Sequence, residues 1–475
     1  MADLIQADIC VIGGGSGGLS VAAGAAQMGA RTVLIEKHKM GGDCLNTGCV
    51  PSKAMIAAGE AAETVRRSGR FGVNGHEPEI DYAAVQRHVQ NVIAGIAPHD
   101  SVERFEGLGV RVIHGAARFT GPRELQAGGK KIRARRFVVA TGSSPALPPI
   151  PGLEDLPFLT NETVFDLKER PERLIVIGGG PIGVELAQAQ RRLGAEVVLL
   201  EAASLLARDD PEAAAVIRRR LVAEGLEVHE GVKVVSAGRK GNRIAIGLES
   251  KAGSFTVEGS HLLVATGRRP NVNGLGLQAA GIDFTPRGIR VDARLRTSNR
   301  RIFAIGDVIG SHPFTHMAGY HAGIVIRNAL FALPAKVSDK AVPWVTYSDP
   351  ELAQVGLTEA EAREQQGDAV QVSRWSFAEN DRARAERATE GFVKVITGRR
   401  GKILGATLVG RHAGELLQPW ILAINQGLKI GAMAGIIAPY PTLGEINKRA
   451  AGAYFTEALF GPRTRGLVGL LQRLP

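Results

Sequence analysis

Apolar, β-branched runs alternate with Ala-rich stretches over the first part of the chain. Two such runs end in glycine loops, "VIGGGSGG" (Val11–Gly18) and "VIGGGPIG" (Val176–Gly183), and an Ala-rich stretch follows each loop. A second apolar run comes next in both places, "GARTVLIE" (Gly29–Glu36) and "GAEVVLLE" (Gly194–Glu201). Buried parallel strands are near-continuous apolar runs, and strand–helix–strand order indicates a parallel sheet. The pattern therefore predicts two βαβ units.

The glycines and acids of the two units stand at one constant offset along the chain. They are Gly13, Gly15, Gly18 and Glu36 in the first unit, and Gly178, Gly180, Gly183 and Glu201 in the second. Two of the glycines allow a tight turn and the approach of a pyrophosphate, and the third lets helix pack on strand. The acid accepts hydrogen bonds from a ribose. Two complete copies predict two dinucleotide sites, or a duplicated fold that has lost one of them.

Glu201 bears on the choice of nicotinamide dinucleotide. A carboxylate at this position pairs with a ribose 2′-hydroxyl and repels a 2′-phosphate. We therefore expect NAD(H) to be favoured over NADP(H). The alternative is that Glu201 is only a solvated acid at the end of a strand.

Further strands are predicted outside the two glycine loops. "FVVATGSSP" (Phe137–Pro145) and "LLVATGRRP" (Leu262–Pro270) each indicate a buried strand that ends in Thr-Gly, and "RIFAIGD" (Arg301–Asp307) indicates a strand and a turn. The last part of the chain shows alternating strands, "GFVKVITG" and "KILGATLVG", and then helices in "GELLQPWILAINQGL". It contains no nucleotide motif.

Composition is that of an ordinary globular protein. The 475 residues are 44% apolar and 22% charged, enough for about three domains. The net charge of +11 suits anionic small molecules, but the basic residues are scattered and aromatics are only 5%, so no nucleic-acid partner is expected. The sequence shows no signal-peptide pattern and no apolar run near the ~18 residues of a membrane span. Three cysteines without an export signal predict a cytoplasmic location.

The stretch "GGDCLNTGCVPSK" (Gly41–Lys53) places Cys44 and Cys49 five positions apart. A regular helix cannot bridge them, because five residues rise about 7.5 Å and turn about 140°, whereas a disulfide needs Cα atoms roughly 4.4–6.8 Å apart. The intervening "LNTG" can supply the distortion, and Pro51 is suited to the first position of a following helix. Cys49 would then lie at a helix N-terminus, where the dipole lowers the pKa of a thiol.

The two cysteines have competing interpretations. A zinc site would need two more thiolate or imidazole ligands, and no second cysteine pair exists, so no metal site is expected. A structural disulfide across so short a loop would stabilise little and would be vulnerable in cytoplasm. A redox-active pair is therefore the favoured hypothesis. Cys10, on the first strand, is expected to be a core residue.

Together these segments resemble the pyridine nucleotide-disulfide oxidoreductases, in the branch of mercuric reductase and dihydrolipoamide dehydrogenase. The resemblance covers nearly the whole chain. It implies an α/β fold with two Rossmann-like dinucleotide-binding domains, for FAD and NAD, and a C-terminal α+β dimerisation domain. The implied divisions are 1–153 and 275–342 for FAD, 154–274 for NAD, and 343–475 for dimerisation.

The resemblance also implies the route of the electrons. They would pass from the nicotinamide through FAD to the Cys44–Cys49 pair, and on to a small oxidant. Cys49 would lie against the flavin, and Cys44 would exchange with the substrate. Lys53 would lie near flavin N5 and pair with Glu185, because a buried ammonium needs a partner and its charge stabilises a reduced flavin.

The implied cofactor contacts are spread along the chain. For FAD they are Gly13, Gly15, Gly18, Glu36, Gly42, Lys53, Ala116, Thr141, Gly142, Asp307 and His316. His316 belongs to "FTHMAGYHAG" (Phe314–Gly323), a helix whose N-terminus would point at the flavin, and Asp307 would hold the ribityl and phosphate region. For NAD they are Gly178, Gly180, Gly183, Glu201 and Gly267.

One position departs from the family. The disulfide reductases carry a His-Pro-Thr motif followed by Glu, and this His is the acid–base group for the partner subunit's dithiol. Here "APYPTLGEINK" (Ala438–Lys448) has Tyr440 in place of the His and Glu445 in the position of the acid. Imidazole titrates near 6.5 and phenol near 10, so about one Tyr in a thousand is ionised at pH 7. This counts against efficient dihydrolipoamide oxidation or glutathione disulfide reduction. A plain packing role for Tyr440 at the dimer interface is the alternative.

Mercuric reductases are similar in having a tyrosine in such a setting. They also end in a vicinal cysteine pair, and many carry an N-terminal metal-binding domain, and this sequence shows neither. The first hypothesis is thus an NADH-dependent flavoenzyme that reduces a small electrophile, either a metal ion, a disulfide or another oxidant. The alternatives are a dihydrolipoamide dehydrogenase, a quinone reductase acting from the flavin, and a redox-sensing flavoprotein whose main role is to bind a partner.

The resemblance implies an obligate homodimer with a shared active site. Cys44 and Cys49 of one subunit would meet Tyr440 and Glu445 of the other. The tail "RTRGLVGLLQRLP" mixes basic and apolar residues like a weak amphipathic helix. It could touch an anionic membrane surface, although packing on the dimer is the favoured expectation.

Overall fold

The computed structural model describes residues 4–474, which form two compact units. One unit comprises Met1–Ala202 with Gly231–Val337, and the other comprises Ala203–Glu230 with Ser338–Pro475. Within residues 4–474, every helix is too short or too polar to traverse a bilayer.

The first unit contains strands and helices from two stretches of the chain. From residue 4 to 202 they are β1 (Leu4–Ile12), α1 (Ser16–Gln27), β2 (Thr32–Glu36), α2 (Gly42–Asn46), α3 (Cys49–Arg67), α4 (Tyr82–Ile96), α5 (Val102–Gly107), β3 (Val110–His114), β4 (Arg118–Gly121), β5 (Glu124–Ala127), β6 (Lys130–Val139), β7 (Ser143–Pro145), β8 (Phe158–Leu159), β9 (Arg173–Ile177), α6 (Pro181–Arg192) and β10 (Glu196–Glu201). Residues 203–230, of the second unit, form α7 (Pro211–Ala223) and β11 (Glu227–Glu230). Residues 231–337 form β12 (Lys233–Lys240), β13 (Arg243–Ser250), β14 (Gly253–Gly259), β15 (His261–Val264), β16 (Arg268–Pro270), β17 (Phe284–Thr285), β18 (Gly288–Ile289), β19 (Ile302–Ala304) and α8 (Thr315–Ala329).

The rest of the second unit follows. It comprises β20 (Pro343–Thr346), β21 (Glu351–Gly356), α9 (Glu359–Gln366), β22 (Gln371–Ser376), α10 (Asp381–Ala385), β23 (Phe392–Thr397), β24 (Ile403–Gly410), α11 (Ala413–Leu416), α12 (Gln418–Asn425), α13 (Ile430–Ala434), α14 (Glu445–Ala453), α15 (Thr456–Phe460) and α16 (Pro462–Leu471).

The first sheet is built around β1. Its strand order is β3-β2-β1-β6-β5-β4, with β19 also paired to β6. The pairings of β1 with β2, β1 with β6, and β6 with β19 are parallel. Burial of Cys10, Val11 and Ile12 at the end of β1 explains why this strand reads as one apolar run. Cys10 is fully buried, so its predicted place in the core is confirmed.

The second parallel sheet repeats this architecture. Within the first unit its strands run in the order β10-β9-β15-β8, and all three pairings are parallel. Helix α6 follows β9 as α1 follows β1. Both predicted βαβ units are therefore confirmed, together with the α/β fold class.

The two segments that end in Thr-Gly pair with each other. Strand β7 is the end of the first segment and β16 is the end of the second, and they form an antiparallel two-stranded ribbon in which Ser143 faces Pro270 and Pro145 faces Arg268. The stretch that contains the second glycine loop is thus inserted between β6 and β19 of the first sheet, and its two ends lie side by side.

The second unit is an antiparallel sheet in the order β20-β21-β24-β23-β22. Helices α7 and α12 pack on β21 and β24, and α14 packs on β22 and β23. On β23, Lys394 is only 3% exposed and pairs with Asp210, Glu212 and Glu359. A buried ammonium left unpaired would be strongly destabilising, so this cluster holds α7 against the sheet.

Candidate active site

The two glycine loops have nearly the same backbone. Gly13 has φ +107° and Gly178 has φ +113°, a region that side chains rarely adopt. A Cβ on Gly13 would lie 2.3 Å from the Ala140 carbonyl oxygen, and one on Gly178 would lie 2.4 Å from that of Ala265. Each loop therefore turns so tightly against the neighbouring strand that only glycine fits.

The last glycine of each loop sets the closeness of helix and strand. A Cβ on Gly18 would lie 1.9 Å from the carbonyl oxygen of Gly13, and a Cβ on Gly183 would lie 1.9 Å from that of Gly178. Any larger side chain would push helix α1 or α6 away from its loop.

The acids of the two units lie at their loops. Glu36 accepts a hydrogen bond from the backbone N–H of Gly14 at 2.6 Å, and Glu201 accepts one from that of Gly179, also at 2.6 Å. Sequence reasoning missed these two donors, although both lie in the middle of the recognised motif.

The space above the loops fits two dinucleotides. A Cβ on Gly180, Gly267 or Gly142 would have no protein atom within 4 Å, and above Gly15 the nearest atom is the Cα of Gly42, at 3.7 Å. These open positions lie beside helix N-termini or at strand ends, which is where phosphates bind. The residues present therefore fit FAD at the first loop and a nicotinamide dinucleotide at the second.

Other predicted FAD contacts lie around the same sheet edge. Thr141 donates its hydroxyl to the Asn271 carbonyl at 2.8 Å, and Asp307 accepts a hydrogen bond from the Ser143 hydroxyl at 2.6 Å. Ala116 is exposed in the turn after β3. Gly42 has φ +59°, and a Cβ there would lie 2.7 Å from the Cα of Gly15, so glycine is required. Their contacts with a cofactor remain predictions.

The cysteine segment is a helix broken once. Helix α2 ends at Asn46 and α3 begins at Cys49, so the distortion falls in "LNTG" as predicted. The prediction that Pro51 would be the first helical residue is wrong, because the helix begins two residues earlier. Since Cys49 itself is the first residue of α3, its sulfur lies closer to the positive end of the helix dipole than expected.

The two thiols are strongly unequal. Both are free, with Cys44 partly buried and Cys49 exposed. The hydrogen bond from Cys44 lowers the pKa of Cys49 to about 6, with further contributions from the Thr315 hydroxyl and the charge of Lys53. The same hydrogen bond and burial raise the pKa of Cys44. At neutral pH Cys49 is therefore the thiolate of the pair and Cys44 the thiol.

Lys53 and Glu185 form an ion pair beside the dithiol. Lys53 Nζ lies 2.7 Å from Glu185 Oε2, and the Glu185 side chain is 7% exposed while that of Lys53 is 36% exposed. Helix α3 supplies the lysine and α6 supplies the acid. Because the carboxylate is buried, replacing Lys53 by a neutral residue would remove a charge that compensates it.

Helix α8 begins at the dithiol. Thr315, its first residue, has its hydroxyl 3.3 Å from the Cys49 sulfur. His316, the predicted FAD contact, is exposed, and its ring stacks on Phe314 with centroids 5.2 Å apart. Thr315 was missed from the sequence, although it lies inside the quoted segment, because nothing in the segment shows which residue faces the sulfur.

A polar cluster holds the break between α2 and α3. Asp43 accepts hydrogen bonds from the Thr47 hydroxyl at 2.9 Å and from the Asn161 side chain at 3.1 Å. Asn161 also donates to the Thr47 carbonyl at 3.1 Å, and Arg268 lies 3.3 Å from the Asp43 carboxylate. Together these contacts fix the turn that brings Cys44 to Cys49. We call Asp43, Asn161 and Arg268 the turn cluster.

Tyr440 and Glu445 belong to the second unit. The Tyr440 side chain is 68% exposed, and its hydroxyl donates a hydrogen bond to Asp381 at 3.1 Å. That hydrogen bond and the negative charge of Asp381 raise the pKa of the phenol, and Glu445 adds to the effect. Glu445 begins α14 and pairs with Arg449 at 2.8 Å. The structure thus places Cys44, Cys49, Lys53 and Glu185 together in the first unit, and Tyr440 and Glu445 in the second.

Comparisons with known proteins identify the family. The family described as "Pyridine nucleotide-disulphide oxidoreductase" matches residues 7–322, and its dimerisation domain matches residues 342–451. The mercuric reductase of Streptomyces lividans is 36% identical over 458 residues, which is 95% of this chain and 96% of that protein. The dihydrolipoyl dehydrogenase of Thermus scotoductus is 37% identical over 471 residues, which is 95% of this chain and 98% of that protein.

A solved structure shows the same fold. It is the Cu(II) complex of the HOCl-induced flavoprotein disulfide reductase RclA from Escherichia coli, with a TM-score of 0.84 and 28% identity, covering 93% of this chain and 99% of that chain. Sequence and fold thus agree over nearly the whole length, the dimerisation domain included. The chain belongs to the pyridine nucleotide-disulfide oxidoreductases, which are FAD-dependent enzymes that act on sulfur groups or metals.

Proposed function

We propose that this enzyme uses NADH to reduce a thiophilic metal ion at the Cys44–Cys49 dithiol. The observation that carries the proposal is the state of Tyr440, an exposed phenol whose hydroxyl is engaged by Asp381 and whose pKa is raised. Such a group cannot act as a base at neutral pH. A disulfide substrate needs a base to remove the proton of Cys44, whose pKa is also raised. A metal ion needs none, because it displaces the thiol proton as it binds.

The named relatives support a metal substrate without excluding a second candidate. One relative is a mercuric reductase, and one structural neighbour is a Cu(II) complex. A dihydrolipoyl dehydrogenase is equally similar, at 37% identity. Dihydrolipoamide dehydrogenase is therefore the second candidate, and the Tyr440 phenol is the feature that counts against it.

The electrons balance for either metal. One NADH supplies two electrons, which reduce one Hg²⁺ to Hg⁰ or two Cu²⁺ to two Cu⁺, and NAD⁺ and a proton are released. The dithiol is reduced again after each turnover. Both sulfurs are needed, since Cys44 and Cys49 together offer the soft thiolate ligands that select such ions.

The residues beside the dithiol prepare it for this reaction. When bound, FAD supplies a two-electron carrier between the nicotinamide and the sulfurs. The Lys53–Glu185 pair keeps a fixed positive charge near Cys49, and the Thr315 hydroxyl can donate to its thiolate. The first glycine loop, with Asp307 and Thr141, would hold the dinucleotide, and the second loop would hold the nicotinamide cofactor.

The preference for NADH is part of the proposal. The hydrogen bond from the Gly179 N–H to Glu201 at 2.6 Å supports this preference, because a carboxylate beside the glycine loop would pair with a ribose 2′-hydroxyl. A 2′-phosphate there would meet a negative charge.

The proposal includes a homodimer with a composite site. The matched dimerisation domain supports the dimer, in which Tyr440 and Glu445 of one subunit would complete the dithiol site of the other. The division into residues 1–153, 154–274, 275–342 and 343–475 and a cytoplasmic location also belong to the proposal.

A steady-state panel tests the substrate class. NADH and NADPH are each combined with a thiol complex of Hg²⁺, with a thiol-free amine complex of Cu²⁺, with lipoamide, with glutathione disulfide and with a quinone. We expect the highest kcat/KM with NADH and a metal ion. Cys44→Ser should lower metal reduction by at least about a thousandfold, because one of two ligating sulfurs is lost, yet spare quinone reduction. Faster turnover with dihydrolipoamide and NAD⁺ than with any metal would overturn the proposal in favour of the second candidate.

The variant Tyr440→His tests the reason given for substrate choice. An imidazole titrating near 6.5 supplies the missing base, so dihydrolipoamide oxidation should rise by about tenfold or more. Tyr440→Phe is the control and should leave dihydrolipoamide activity as low as before. If Tyr440→His brings no gain, the shape of the pocket decides the substrate, and the argument from the base fails.

A further inference from the structure

The last two helices leave an apolar surface uncovered. Neither α15 nor α16 contains a buried residue. Three leucines of α16 are 52–61% exposed, at spacings of three and four residues that place them on one side of the helix. This leucine stripe consists of Leu467, Leu470 and Leu471, and Leu474, 65% exposed, follows the end of the helix. In α15, Leu459 and Phe460 are 56% and 65% exposed and extend the apolar surface.

Basic residues accompany the leucine stripe. Arg463, Arg465 and Arg473 are exposed, and the sequence from residue 458 to 474 contains no acid. The guanidinium groups can therefore reach an anionic partner while the leucines meet an apolar one. Arg463 lies in the first turn of α16 on the leucine side, Arg465 lies off that side, and Arg473 follows the end of the helix. Arginine side chains at the ends and flank of a short apolar stripe can extend to the phosphates of a lipid surface while the leucines contact its apolar part.

A second copy of the chain is a poorer partner for this surface. The dimerisation domain matches residues 342–451, and both helices lie beyond that range. An anionic lipid surface satisfies the arginines and the leucines at once.

We propose that α16 docks the enzyme on an anionic lipid surface. The helix lies in the plane of the interface, with the leucine stripe among the upper acyl chains and the arginines at the phosphates. The helix does not span the membrane, since α16 has only ten residues and a membrane span needs about 20. The inference does not depend on the proposed substrate.

Vesicle sedimentation of the full-length FAD-loaded enzyme tests the proposal. Vesicles of phosphatidylglycerol and phosphatidylcholine are compared with vesicles of phosphatidylcholine alone, at low and high salt. We expect binding to the anionic vesicles that is at least about tenfold tighter and that weakens as salt screens the arginines. Leu470→Asp/Leu471→Asp should lose that binding by at least about tenfold. Arg465→Glu/Arg473→Glu should weaken binding to the anionic vesicles by a similar factor, although it removes no apolar side chain.

The matched control is Val73→Asp, which changes an equally exposed apolar side chain far along the chain. Val73 is 64% exposed, so this variant should bind vesicles like the unchanged enzyme. NADH-dependent quinone reduction and molar mass by light scattering are measured for every variant. Equal binding to both kinds of vesicle, or no binding at all, overturns the proposal. A Leu470→Asp/Leu471→Asp enzyme that becomes monomeric also overturns it, because the stripe then serves a second copy.

Discussion

The two glycine loops have the same backbone but different surroundings. The first is closed by the redox segment, since Gly41 donates its N–H to the Gly14 carbonyl at 2.9 Å and Gly42 packs on Gly15. At the second loop, a Cβ built on Gly180 would have no atom of the described residues within 4 Å. The first loop is thus covered by the segment that carries the dithiol and the second is open, as the proposed function requires of one site that retains FAD and another that exchanges a nicotinamide cofactor in each turnover. The two glycine motifs are alike, so the difference between the loops lies in the Gly41–Gly42 segment that packs only on the first.

The largest expected effect comes from breaking each loop in turn. Gly18→Ala and Gly183→Ala each place a methyl group 1.9 Å from a backbone oxygen, so the helix must shift. We expect Gly18→Ala to yield protein with at least about tenfold less bound FAD. Gly183→Ala should keep its FAD but lose at least about tenfold in kcat/KM for NADH. FAD absorbance and steady-state kinetics measure the two.

Gly69→Ala is the control for this pair, because its Cβ would have no atom within 4 Å. It should match the unchanged enzyme in both measurements. The comparison of the loops fails if Gly18→Ala and Gly183→Ala show the same defect.

A smaller effect is expected from changing the acid at the open loop. Glu201→Ser removes the charge that would repel a 2′-phosphate, so the ratio of kcat/KM for NADH to that for NADPH should fall by about tenfold. FAD content should stay unchanged. The matched variant at the closed loop, Glu36→Ser, should lower FAD retention and leave the NADH to NADPH ratio alone. An unchanged ratio in Glu201→Ser would show that other residues set the preference.

The smallest effect concerns the turn cluster, which has no counterpart at the second loop. The charge of Asp43 raises the pKa of Cys49, and Arg268 lies against that charge. Asp43→Asn should therefore lower the pKa of Cys49 below about 6, and Arg268→Gln, which leaves Asp43 uncompensated, should raise it. The alkylation rate of Cys49 in the reduced enzyme, followed by mass spectrometry, rises with pH through this pKa as thiolate forms.

Shifts of opposite sign distinguish electrostatics from loss of structure, which would move both variants the same way. The remote variant Asp8→Asn, at a surface ion pair with Arg31, should leave the midpoint unchanged. If both turn-cluster variants move the midpoint upward, the cluster acts only by holding the turn.

Much of the fold could be predicted because its signals are local. The glycine loops, the acids at the ends of β2 and β10 and the strand that becomes β6 each lie within a short window, where apolar runs and spacing suffice. The start of α3 was misplaced because Pro51 is compatible with more than one position in a first turn. The preference of proline for the first turn of a helix does not fix the first helical residue, and the packing of the break between α2 and α3 sets it at Cys49.

The site residues that could not be predicted from the sequence are those that contact segments distant along the chain. Thr315 meets Cys49 across 266 positions, and Asn161 meets Asp43 across 118. No periodicity or motif reports such pairs. Asp381, the partner of Tyr440, escaped for the same reason, because it lies 59 positions away and begins a short helix of unremarkable sequence.

The ribbon of β7 and β16 has a consequence for how the molecule can be dissected. Since Ser143 pairs with Pro270 across the ribbon, the stretch inserted between these strands begins and ends at adjacent positions. Excision of the stretch between them would also remove α7, whose Asp210 and Glu212 pair with the buried Lys394, so Lys394 would have to be replaced at the same time. The remaining polypeptide would keep β6 and β19 adjacent, and with them the framework of an autonomous flavodomain.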